Sequence, residues 1–316
     1  HAVDFVDSLT GLAAGDAVIL KTTDGGRTWA SKDLGHAINA LRFSSPLVAW
    51  ATGCEGLILK TTDAGETWSQ VSLAEVSSCL EAITFVDDST GWIGGYVPGV
   101  LLRTTDAGDT WTSLPDSIDP QQDIDALSFV DREHGWFTGF GYTDTSTVGV
   151  IKRTTDGGVS WNVQESGLTD AILSVGFADN DRGWAVSSTG VVLGTLDGGA
   201  HWAAEQAPTT AGLEHLEVRP GEGAWIVGLE GTVLRKNLGG LLPVRVISTS
   251  NGWSMVSLPL QVIDATPSVI FPDVSNSPYY YSPGLGYNTS NSLQNGIGYW
   301  LKTVPGRDFS EFGPVL

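Results

Sequence analysis

Cysteine, methionine and basic side chains are all scarce in this chain of 316 residues, which has 2 Cys, 1 Met and 16 Lys plus Arg. Two cysteines exclude a small disulfide-dense scaffold and cannot supply a four-cysteine metal centre. The shortage of bases against 36 acidic residues leaves a net charge of −20. Such a surface repels nucleic-acid phosphates and anionic lipid, so neither is expected as a partner. No apolar run approaches the ~18 residues of a membrane span, and membrane insertion is not expected. The five histidines (His1, His36, His134, His201, His215) lack metal-ligand spacing, and no Ser/His/Asp signature occurs. Helical periodicity is also missing. The chain opens on His1 rather than Met, which we read as a processed or longer precursor, exported to the extracellular space or cell surface.

What is plentiful is glycine, at 40, and tryptophan, at 12. That mixture suits many short strands, tight turns and large aromatic packing elements. An internal repeat organises them. KTTDGGRTW (21–29), KTTDAGETW (60–68), RTTDAGDTW (103–111), RTTDGGVSW (153–161) and GTLDGGAHW (194–202) are one motif, with an eroded sixth copy, RKNLGG, at 235–240. Its aspartates, Asp24, Asp63, Asp106, Asp156 and Asp197, are spaced by 39, 43, 50 and 41 residues. Upstream lies a second block, VDFVDSLTGL in copy one, ITFVDDSTGW in copy three and LSFVDREHGW in copy four. Ten of the 12 tryptophans fall on two repeat positions: Trp29, Trp68, Trp111, Trp161 and Trp202 close the motif, and Trp50, Trp92, Trp136, Trp184 and Trp225 sit in the second strand.

Each repeat offers four short strands, the signature of a propeller blade, and one such sheet cannot bury both faces alone. The expected fold is therefore all-β: a propeller of four-stranded antiparallel blades over residues 1–243, six-bladed or alternatively seven-bladed. LLPVRVI (241–247) is a candidate outer strand for blade six. A small β-sandwich-like module is expected over 244–316.

The motif resembles the Asp-box (BNR) repeat, known from sialidases, xyloglucanases, sortilin-type receptors and the photosystem II assembly factor family. The pattern F-V-D…G-W…T-T-D-G-G-x-T-W is most similar to the last group and its secreted bacterial relatives. The five aspartates are read as supports for the turn between strands three and four, accepting bonds from backbone amides and the Thr or Ser hydroxyl. Identical positions around a ring cannot converge on one substrate, so no catalytic residue is assigned. A sialidase would need an arginine cluster and an F/Y-R-I-P motif, and neither is present. A glycoside hydrolase needs only two carboxylates across a cleft, so that alternative stays open.

Strand two-to-three and four-to-one loops share one face, where the repeats vary most. There PDSIDPQQDID (115–125) gathers Asp116, Asp119, Asp123 and Asp125, and the insertion GFGYTDTSTVG (139–149) adds Tyr142 and Asp144. Clustered carboxylates suit calcium, against the plainer reading of a solvated acidic loop. No other cofactor is expected. Cys54 and Cys79 fall on this same face in neighbouring blades, which makes a disulfide feasible, with two buried free thiols as the alternative.

The tail after residue 243 resembles a small β module found after repeats in secreted proteins of Bacteroidetes/Chlorobi-type bacteria. Tyr279, Tyr280, Tyr281 and Trp300 are its candidate contacts: carbohydrate, a sandwich core and a subunit interface explain them equally well. Asn288 opens an N-glycosylation triplet. The function expected is a non-catalytic scaffold that binds protein or itself, as a filament or sheath subunit. The alternatives are an assembly factor of the photosystem II kind and a polysaccharide-binding protein or hydrolase.

Overall fold

In a computed structural model, the described residues are 2–73, 76–96, 99–114, 118–119, 121–142, 147–205, 207, 209–219, 223–236, 253–256, 279–282, 286–289 and 299–302. The chain is all-β, with six successive propeller blades, and forms two compact units. One comprises His1–Ala185 and Leu193–Ala204, the other Val186–Val192 and Glu205–Leu316.

Each of the first five blades is a four-stranded antiparallel meander. Blade one runs Ala2–Phe5, Gly11–Ala14, Val18–Thr22 and Ala30–Asp33. Blade two follows with Ala40–Phe43, Ala49–Thr52, Ile58–Thr61 and Ser69–Gln70. Blade three has Leu80–Phe85, Gly91–Gly95, Val100–Thr104 and Thr112–Ser113. Blade four has Ala126–Phe129, Gly135–Tyr142, Thr147–Thr154 and Asn162–Gln164. Blade five has Ile172–Phe177, Gly183–Ser187, Val192–Thr195 and Ala203–Glu205. The sixth sheet shows three strands among the described residues, Leu213–Arg219, Gly223–Gly228 and Thr232–Lys236. Its proposed outer strand at 241–247 lies outside them. The tail contributes one four-stranded sheet in the order 253–256, 299–302, 279–282, 286–289.

Within the first unit, the first strands of successive blades touch one another and so lie innermost. The second strands of blades two and three, Ala49–Thr52 and Gly91–Gly95, are buried along their length, whereas the fourth strand Ala30–Asp33 is exposed along its own. Successive blades are joined by aromatic rings. Trp92 of blade three stacks on Phe129 of blade four at 3.7 Å between centroids, and Phe129 meets Trp161 of its own blade edge-on. Trp136, Phe177 and Trp202 repeat the arrangement one blade later. Each such pair adds about 0.5–1.5 kcal/mol beyond its buried area. The recurring phenylalanine explains the glycine of G-W in the sequence block, because a Cβ on Gly135 would lie 2.4 Å from the Phe129 ring.

The aromatic contacts are reinforced by hydrogen bonds to the following box. Trp92 Nε1 donates to the Gly157 carbonyl and Trp136 Nε1 to that of Gly198, both at 2.9 Å. Lys60, Arg103 and Arg153 lie over Trp50, Trp92 and Trp136 on the neighbouring strand of the same sheet. Arg132 instead reaches back one blade to Asp87, at 2.8 Å. These arginines are therefore spent on blade architecture and form no anion-gripping cluster.

The close fit can be tested at two glycines with similar backbone. Gly108 has φ +76, and a Cβ there would fall 2.1 Å from the Trp50 ring, whereas Gly35, at φ +70, has nothing within 4 Å. Gly35→Ala is expected to cost about 1–2 kcal/mol from its left-handed backbone alone. Gly108→Ala should add an overpacking cost of about 1–3 kcal/mol. Equal losses in urea titrations of the two variants would refute the interlock.

Candidate functional site

The repeated aspartates are enclosed by their own turns. In the second box, Asp63 Oδ1 accepts from the Thr61 hydroxyl at 2.7 Å and the Thr67 amide at 2.8 Å, and Oδ2 accepts from the Thr67 hydroxyl at 2.5 Å. The Thr61 oxygen in turn accepts from the Gly65 amide at 2.9 Å. Asp24, Asp106 and Asp156 repeat this set, and around Asp197 the second side-chain donor is His201. These bonds hold Asp24, Asp63 and Asp197 at a pKa of about 2, with the Thr28 and Thr67 hydroxyls and the His201 amide as the largest causes. The box tryptophans are buried to different degrees, from Trp111 at 9% exposure to Trp29 at 37%, with Trp68, Trp161 and Trp202 between.

The aspartate of the upstream F-V-D block, to which the sequence reading gave no role, makes a matching turn. Asp87 Oδ1 accepts from the Ser89 and Thr90 amides, each at 2.8 Å, and Asp7, Asp131 and Asp179 do the same in their blades. The two turns are clipped together by a backbone bond, Ala107 N–H to the Ser89 carbonyl at 2.9 Å in blade three. Both aspartate sets therefore support turns, and neither is arranged for chemistry.

A different group of acids lies on the opposite face, between blades three and four. Ile118 and Ile124 enter the apolar cluster of Trp92, Leu101, Phe129 and Phe137 there. The Asp123 amide donates to the Phe140 carbonyl and the Asp125 amide to that of Thr138, both at 2.9 Å. Asp123 is buried at 4% exposure, Asp125 is half-buried, and Asp119 is exposed. Asp116 and Asp144 lie outside the described residues. Tyr142 pairs with Thr147 at the end of a hairpin of two eight-residue strands, so the blade-four insertion prolongs both.

Asp125 has Tyr96 and Glu81 as electrostatic neighbours. Burial first, then the charges of Asp123 and Glu81, raises its carboxyl from 3.8 to about 7, while a hydrogen bond from Tyr96 opposes the rise. Its Oδ2 is buried with no hydrogen-bond partner. Burial and the charge of Asp123 raise Glu81 against a hydrogen bond from Asn39, whose Nδ2 donates to Oε1 at 2.7 Å. Asn39, Glu81 and Asp125 occupy one repeat position, four residues before Phe43, Phe85 and Phe129. They form a polar arc over blades two to four, with Tyr96, 40% exposed, beside it. The aspartates were evident in the sequence but Glu81 and Tyr96 were not; comparing this single position across the copies shows Glu81, whereas Tyr96 follows the second strand of blade three and carries no repeat signal.

Cys54, in the second-to-third strand turn of blade two, and Cys79, just before blade three, are joined as a disulfide. Tyr279, Tyr281 and Asn288 are paired along the tail sheet, where Tyr279 stands opposite Thr289 and Trp300, Tyr280 opposite Asn288, and Tyr281 opposite Tyr287.

The sequence matches the family described as photosynthesis system II assembly factor YCF48 over residues 1–76, 33–120 and 160–252. No curated protein matches the chain. A solved structure described as YCF48 bound to D1 peptide aligns with TM-score 0.60 at 17% identity, over 96% of this chain and 92% of that one. A GH74 xyloglucanase from Xanthomonas campestris aligns with TM-score 0.60 at 14% identity, over 98% of this chain and 54% of that one. A virginiamycin B lyase from Staphylococcus aureus aligns with TM-score 0.62 at 12% identity, over 96% and 94%. At these identities the structural likenesses establish the fold alone.

The Asp125 carboxyl predicts a pH dependence of stability. Its folded pKa is raised, so the folded protein binds the extra proton between about pH 4 and pH 7 and this contribution to stability is lost as pH rises through that window. Thermal melts should show Asp125→Asn gaining on the wild type above about pH 7 and matching it near pH 4. A difference independent of pH would count against the assignment.

Proposed function

The chain belongs to the photosynthesis system II assembly factor YCF48 family, and on that premise we propose that it is a non-catalytic propeller that binds a protein segment. The binding face is the one that carries the arc of Asn39, Glu81 and Asp125. The observation that supports this reading is the arc itself. It gathers half-buried acids where the repeat departs from its pattern, whereas the repeated aspartates are consumed by their own turns. Variable segments on a rigid frame are where recognition concentrates. A relative of the same fold has been solved with a bound peptide, D1.

The acidity of the face fits a partner segment rich in Lys or Arg, and opposite charge would speed encounter and fix register. We place the protein outside the cell or on its surface, as a scaffold whose partner is another protein or a second copy of itself. A second reading, glycoside hydrolysis, has one observation in its favour. A carboxyl near pKa 7 beside other carboxylates is the arrangement of a general acid.

Photo-crosslinking separates these readings. A crosslinker at Tyr96, 40% exposed, should capture a discrete protein partner, while one at Val163, 65% exposed on an outer strand, should not. Equal capture at both positions would refute the assigned face. Sugar release from a glycan panel that disappears in Asp125→Asn would favour the hydrolase instead.

A further inference from the structure

The disulfide borders the polar arc, and its surroundings suit a second chemical state. Ligand atoms of Cys54, Cys79 and Glu81 all lie within 4.8 Å of one another. Asn39 touches two of the three, with Nδ2 at 3.8 Å from Cys54 Sγ and 2.7 Å from Glu81 Oε1. We propose that reduction of Cys54–Cys79 opens a binding site for a thiophilic divalent cation such as zinc, with both sulfurs and the Glu81 carboxylate as ligands and water as the fourth.

Three features carry this inference. The first is that the backbone around the cysteines is held independently of the sulfur bond. On one side the Leu80 amide donates to the Gly53 carbonyl at 3.1 Å, and on the other the Gly56 amide donates to the Ser78 carbonyl at 2.9 Å. Reduction therefore leaves the two thiols facing each other. The second is the ligand set itself. Zinc binds thiolate at about 2.3 Å and carboxylate oxygen at about 2.0–2.2 Å in a tetrahedron, so its ligand atoms lie about 3.5–3.8 Å apart; the three atoms lie inside a 4.8 Å envelope, and reduction frees the sulfurs to separate to that spacing. The asparagine bond to Oε1 orients the carboxylate as an outer-shell partner does.

The third feature is access: Cys54 is exposed, which gives both reductant and ion a path.

A dithiol reductant delivers two electrons and two protons to the Cys54–Cys79 bond, giving two thiols and becoming a cyclic disulfide itself. Zinc then displaces both thiol protons to solvent as two Zn–S bonds form.

The test uses the full chain and cobalt as a spectroscopic probe. After reduction with a non-thiol phosphine, one equivalent of cobalt should produce a thiolate-to-cobalt charge-transfer band that zinc abolishes by displacement. The oxidised protein should show no band. Glu81→Gln should weaken cobalt binding at least ~10-fold, by analogy with the losses that accompany disturbed ligand shells. Tryptophan fluorescence establishes that the reduced chain stays folded. Cys54→Ser must abolish the band; should that variant fail to fold, alkylation of the reduced wild type replaces it and must do the same. A folded, reduced protein with no thiolate band, or an affinity unchanged in Glu81→Gln, would overturn the proposal.

Discussion

The stacking of a tryptophan from one blade on a phenylalanine of the next is the contact on which the described fold depends. A four-stranded sheet this small cannot bury two faces by itself, so each blade is stable only through its neighbours. The second-strand indole, the first-strand phenylalanine of the following blade and that blade's box tryptophan form a continuous series from Trp92 to Trp161 and from Trp136 to Trp202. The indole N–H bonds to Gly157 and Gly198 fix how far each ring enters. The Asp box is therefore a socket as well as a turn. Its carboxylate closes the loop, and its glycine backbone receives the preceding blade.

This arrangement explains why most of the frame was legible in the sequence. A residue that meets the same partner in every blade recurs at the same spacing, which is why Asp63, Trp68 and the glycine of G-W stand out. The disulfide was legible too, because the repeat placed both cysteines at the same end of adjacent blades. The individual arginine partners were not. Arg132 stands three residues after Phe129 and bonds Asp87 of the preceding blade, whereas Arg182 stands five residues after Phe177 and bonds Asp179 of its own. These arginines depart from the repeat, and local acids decide where each long side chain ends.

The candidate site was only partly legible, and for a related reason. A motif is read along the chain, whereas Asn39, Glu81 and Asp125 are neighbours across it, one residue from each of three blades. Asn39 and Glu81 are unremarkable along the chain, and Asp125 stands out only as one acid of an acidic loop. Their proximity exists only once the innermost strands are brought side by side. The acids before blade four hid their nature differently: they suggested a solvated loop, but Ile118 and Ile124 enter the core and Asp123 is buried with them.

The net charge of −20 is consequently a poor guide to what the surface can recognise. Many of the aspartates are committed to their own turns, and bonds to hydroxyls and amides depress those carboxyls towards stable ionisation. Asp125 and Glu81 show the reverse shift, because burial and mutual repulsion dominate there. The two directions divide the acids by purpose. Groups whose pKa falls are bonded as carboxylates by their turns, and groups whose pKa rises are driven toward the protonated form because their charge is left uncompensated. A basic segment or a cation at the arc would relieve that repulsion, and the same ligand placed on the box rim would find its carboxylates already bonded.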